Sequence, residues 1–116
     1  MTLEYFRNFC LNLPHVTEDT PFDANTLCFR IGKKIFAIVD MEVFEYANLK
    51  CDPERSIELR EQFPGITPGF HMNKKWWNSV SVQGDVPDTL ILELTRHSYD
   101  LVCSSLPKKI QSEFNL

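Results

Sequence analysis

Hydrophobic positions in this chain recur with a helical period at both ends and with strand-like runs between. Leu3, Phe6, Phe9 or Cys10, and Leu13 share one helical face, which predicts an amphipathic helix over 2–13. Thr2 is a good N-cap with Tyr5 three residues on, and Pro14 stops the helix. Leu27–Ile31 is rich in β-branched and aromatic residues and predicts a strand. Gly32-Lys33 follows as a two-residue turn, with glycine first as a type II′ turn prefers. Lys34–Asp40 is the return strand, and its nearly continuous apolar run suggests partial cover on both faces. A second turn at Met41–Val43 leads to Phe44–Lys50, which alternates and predicts a third antiparallel strand.

The second half opens on a helix start. Asp52 can cap it, Pro53 suits the first helical position, and Glu54 suits the positive end of the dipole. This helix should run to about Phe63, with Leu59 and Phe63 on one face, until Pro64-Gly65 ends it. Residues 65–69 read as a rigid connecting loop. Phe70–Val82 reads as one or two short strands with a turn inside, Trp77, Ser79 and Ser81 on one side and Trp76, Asn78, Val80 and Val82 on the other. After a turn at Gly84-Asp85, Pro87 opens a long helix whose stripe comprises Leu90, Ile91, Leu94, Ser98, Leu101, Val102 and Ser105. Pro107 breaks it, leaving 108–116 as a short terminal segment with room for one more helical turn. The order α-βββ-α-ββ-α predicts a single α+β domain in two layers, an antiparallel sheet with helices packed on one face.

Composition refines this picture. The chain has 116 residues, 43% hydrophobic and 24% charged, enough for one core without staples. No apolar run reaches membrane-spanning length, and residues 1–13 lack the apolar stretch of a signal peptide, so the expectation is a cytoplasmic protein. Cys10, Cys28, Cys51 and Cys103 are widely spaced and read as small apolar residues. The net charge of −4 is unevenly spread. Residues 24–39 carry Arg30, Lys33 and Lys34 without an acid, and residues 62–84 carry Lys74 and Lys75 without one. Two basic patches on an acidic body can select anionic partners locally.

Catalytic signatures are missing. There is no G-x-S-x-G elbow and no phosphate-cradling glycine loop. His15, His71 and His97 are isolated from one another, so no metal set stands out, and the reading is a non-enzyme without cofactor. His15 is expected to be exposed, and His97 to sit at the core edge. Glu18 and Asp19 fall in a proline-flanked connection that reads as a solvated loop. The segment His71-Met-Asn-Lys-Lys-Trp-Trp-Asn78 remains. Lysines contact phosphates, asparagine reaches phosphates or base edges, and exposed tryptophan stacks on bases. Large aromatics on strands usually belong to a core, so at least one of Trp76 and Trp77 is expected to be buried.

Five stretches in order carry a resemblance: Leu13-Pro14 with Thr17-Glu18-Asp19 and Pro21-Phe22; Asn48–Pro53; Pro68–Lys75 with Trp77-Asn78; His97–Val102; and Leu106–Lys109. Together they resemble the MmcQ/YjbR family over nearly the whole chain. The resemblance implies a CyaY-like (frataxin-like) α+β fold and DNA binding through a double-wing motif. The candidate surface is then the hairpin turn Lys33 and Lys34 with Lys50, His71, Asn73, Lys74, Lys75, Trp77 and Asn78. The partner expected is DNA, and the alternative is a protein or peptide bound by a chaperone-like module, the chain itself being a monomer or weak dimer. An isoelectric point near 5.3 argues against tight non-specific binding of duplex DNA.

Overall fold

A computed structural model describes residues 1–69 and 72–116. The elements are α1 (Leu3–Asn12), β1 (Thr17–Asp19), β2 (Thr26–Ile31), β3 (Lys34–Asp40), β4 (Tyr46–Lys50), α2 (Pro53–Gln62), β5 (Ile66–Pro68), β6 (Trp77–Ser81), α3 (Asp88–Ser105) and α4 (Lys108–Phe114). The six strands form one antiparallel sheet in the order β1-β2-β3-β4-β6-β5. The expected α+β layering is therefore present.

Three local differences from the expectation have physical causes. The acidic connection contributes a short edge strand, β1, because its two carboxylates find arginines: Glu18 pairs with Arg7 on α1, and Asp19 accepts from Arg30 Nε at 2.9 Å. The loop after α2 contributes β5, where Pro68 is tolerated because the strand lies at the sheet edge. Within what was expected, one strand, β6, forms between residues 72 and 82, and the terminal segment is helical, as α4. At the β2–β3 turn both Gly32 (φ 56°) and Lys33 (φ 71°) are left-handed. That is the signature of a type I′ turn, not the II′ turn expected from the leading glycine. Glycine is required at position 32 for a second reason: a Cβ there would lie 2.8 Å from Leu106 Cδ2, so the end of α3 leans on bare backbone.

Sheet register decides which residues face the helices. Ala47, Leu49, Val80 and Ile66 point to the core, joined by Leu27, Phe29 and Val39 from the outer strands. A bulge at Phe29/Arg30 lets two successive β3 residues, Phe36 and Ala37, both become fully buried. Phe36 then packs edge-on against Tyr99 of α3, with ring centroids 5.4 Å apart. α1 closes the other side of the core through Phe6, which lies edge-on to Phe29, and through Cys10. Its N-cap is as expected, Tyr5 N–H donating to Thr2 Oγ1. The Tyr99 hydroxyl donates to Pro14 O at 2.7 Å, and burial together with the neighbouring Cys103 pushes its pKa up to about 12. Burial likewise raises all four cysteine thiols, so none is held as a reactive thiolate.

Candidate nucleic-acid interface

With the helices on one face, no helix among the described residues covers the other face of the central strands. The β4–β6 ladder arranges it in rows: Tyr46 opposite Ser81, Asn48 opposite Ser79, Lys50 opposite Trp77. Thr67 of β5 continues the Ser79 row, and Ile38 of β3 continues it on the other side. The Ser79 hydroxyl donates to Asn48 Oδ1 at 2.6 Å, tying the middle row together. These short side chains leave a trough of about 440 Å³, lined by Asp40, Val43, Glu45, Tyr46, Asn48, Thr67, Pro68 and Ser79.

One end of this face is basic. Because β3, β4 and β6 alternate in direction, the β2–β3 turn, the end of β4 and the start of β6 all lie at the same end of the sheet. That end gathers Lys33, Lys50 and the segment 72–77. The Lys50 ammonium sits 5.5 Å from the centroid of the Trp76 ring, a cation–π distance. Trp76 and Trp77 are both half-buried, so the expectation of one sealed indole is corrected: each keeps an accessible part.

The nine candidate residues divide. Lys33 and Lys75 are exposed, Lys74 is exposed while its Nζ donates to Gly69 O at 3.3 Å, and Lys50 and Trp77 are half-buried on the open side. Lys34 is directed elsewhere: its Nζ donates to Ser105 O at 3.1 Å on α3. Arg30 is paired with Asp19, and Lys34 keeps its charge but is tied toward α3, so Lys33 is the turn cation best placed to meet a ligand. Asn73 shapes the backbone, its Oδ1 accepting from Lys75 N–H and its carbonyl from Trp76 and Trp77 N–H. Asn78 is a correction. Only 2% exposed on the helix side, it donates to Ser56 Oγ at 3.1 Å and accepts from Arg60 Nε at 2.8 Å, so it offers a ligand nothing. Its strand position had already set it on the side opposite Trp77. His71 lies outside the described residues.

Three residues that the sequence reading gave no such role hold this end in place. Arg60 on α2 donates to Asn78, to Lys74 O at 2.6 Å and to Trp77 O at 3.4 Å, bracketing the basic segment. Ser98 on α3 replaces a missing ladder rung beside the bulge: its hydroxyl accepts from Lys50 N–H at 2.8 Å and donates to Phe36 O at 2.5 Å. His97 Nε2 accepts from Asp52 N–H at 3.2 Å, while Asp52 Oδ2 caps α2 by accepting from Arg55 N–H. Burial, then the charge of Arg55, lowers the His97 pKa and keeps the ring in the neutral form that can accept. The clue in sequence was the polarity of Ser98 within an apolar stripe. Among the described residues no three metal-capable side chains cluster, and no helix is long and apolar enough to cross a membrane.

These features define a class: a small two-layer α+β domain with an uncovered, electrically asymmetric sheet face. The YjbR family model matches residues 11–101, and the chain belongs to that family. An uncharacterised Escherichia coli O157:H7 protein, YbdF, is 36% identical over 93% of this chain and 89% of its own length. The uncharacterised YjbR protein of Escherichia coli K12 is 28% identical over 94% and 93%. A Deinococcus radiodurans crystal structure with a DUF419 domain superposes with a TM-score of 0.93 at 40% identity, covering 99% of this chain and 88% of that one. A Pseudomonas syringae crystal structure gives 0.74 at 25% identity, covering 87% and 98%.

Proposed function

We propose that this protein binds DNA, and that it takes a single strand along the open face of the sheet from its basic end. One observation carries the reading: the register sets Lys50 opposite Trp77 on the face no helix covers, with Lys33, Lys74 and Lys75 at the same end. Cations there neutralise phosphates, and the ring face of an indole or phenol is a stacking surface for an unpaired base. A duplex presents no free base faces, and the −4 net charge opposes its dense phosphate array. The Arg60 bracket holds the segment in shape before any strand arrives, which lowers the ordering cost of binding.

Fluorescence anisotropy with labelled single-stranded and duplex DNA tests this. The single strand should bind more tightly, with a log–log salt slope of about −2 to −3 for three or four neutralised phosphates. Lys50→Ala with Lys75→Ala should shrink that slope by about 1.4. Wild-type affinity in the double variant, or binding indifferent to salt, removes the reading.

A further inference from the structure

The open face carries two signs of charge, and the proposed DNA track uses only one. Opposite the lysine end, the trough is bounded by Asp40 and Glu45. The distance between the ends, from Tyr46 to Lys50 along β4, is about 13 Å at the usual strand rise. Three of the molecule's exposed large apolar side chains lie toward the acidic end: Val43 at 60%, Phe22 at 67% and Tyr46 at 45%. The middle row between the ends, Asn48 with Ser79, is short and already hydrogen-bonded to itself.

A face with this layout is complementary to itself. A twofold axis running across the strands at the level of Asn48 and Ser79 reverses the strand direction and turns one sheet over onto another. It sets β4 over β4 and β6 over β6, with each position exchanged about the middle row. Lys50 of one copy then meets Tyr46, Asp40 and Glu45 of the other, and the same contact repeats by symmetry. The ammonium finds two carboxylates and a phenol face. Short side chains in the middle permit the spacing of about 10 Å at which sheet faces pack. We infer that this uncovered face docks a second copy of the chain, as an antiparallel face-to-face dimer held by the Lys50 end against the Asp40–Glu45 end. The patch is small, which puts the pair at the weak, transient end of interfaces. Because the contact spans exposed charges, it responds to ionic strength. It covers the ladder that the DNA reading uses, so strand binding and self-association exclude one another.

Analytical ultracentrifugation of the full chain, without nucleic acid, decides this. Ionic strength of about 10 mM gives a screening length of ~30 Å and about 1 M gives ~3 Å. Dimer should grow with concentration at the low value and be lost at the high one. Lys50→Glu and Glu45→Lys should each weaken association about tenfold or more, since each sets like charges together. Glu45 is used because the Asp40 carboxylate also holds the backbone N–H groups of Glu42 and Val43. Mixing the two variants should restore the dimer. The carboxylate introduced at position 50 of one copy then meets the ammonium introduced at position 45 of the other, while each variant's unchanged end remains matched. A monomer at every concentration in low salt overturns the inference, as does a dimer indifferent to either reversal, or a mixture of variants that stays monomeric. A basic peptide that occupies the trough while the chain alone stays monomeric also overturns it. The anisotropy measurement is made at concentrations too dilute for the dimer, so either idea can fail alone.

Discussion

At the scale of single residues, the stability of the basic end turns on hydroxyls and ring nitrogens, not on its lysines. Ser98 satisfies one donor and one acceptor where the β3–β4 ladder stops short. Ser98→Ala should cost about 1–3 kcal/mol in denaturant melts, since it strands a backbone N–H and a carbonyl away from water. Val in its place should be worse, adding bulk where no room exists. His97 gives a pH signature. Its folded pKa lies below the ordinary 6.5, so the unfolded chain takes up its proton first as pH falls. Its contribution should be complete above 6.5 and disappear as pH drops through the lowered value. Urea titrations across that window should show stability declining toward acid, and His97→Gln should remove that component of the decline.

Elements show what a sequence can and cannot disclose. The helical stripes of α1 and α3, the Asp52-Pro53 start of α2, and the alternation that sends Trp77 and Asn78 to opposite faces are local patterns, and they were legible. β1 was not, because a Thr-Glu-Asp strand has no hydrophobic signature; it forms by pairing with β2, while Arg7 and Arg30, each 11 residues from its partner, hold the two carboxylates. β5 was hidden by a proline that is harmless at an edge. The candidate site was legible as a list but not as a geometry. Nothing near Lys34 or Asn78 in sequence reveals that Ser105 takes the first and α2 the second. The hairpin turn yields a test of its own. Lys33→Gly should leave stability unchanged or raise it by up to about 1 kcal/mol, because lysine gains nothing from left-handed backbone. Gly32→Ala should lower it by more than that, from both the positive φ and the press of Leu106. Thermal melts of the two variants should move in opposite directions or, for Lys33→Gly, not at all.

Across the whole molecule, charge contributes little to cohesion. The ion pairs Arg7–Glu18, Arg30–Asp19, Arg55–Glu93 and Arg96–Asp100 each have a well-exposed partner, and such pairs contribute little. Raising ionic strength from about 0.1 to about 1 M should therefore change folding stability by less than about 1 kcal/mol. The same change should abolish the proposed DNA binding and the proposed self-association.

Arg60 joins α2 to the corner that holds every indole the chain possesses. Tryptophan emission, excited at wavelengths that tyrosine does not absorb, is consequently an optical reporter of that corner, while circular dichroism samples the backbone everywhere. If the two signals separate during gentle heating of an Arg60→Ala variant but coincide in the parent, the guanidinium is what makes this corner melt in step with its surroundings.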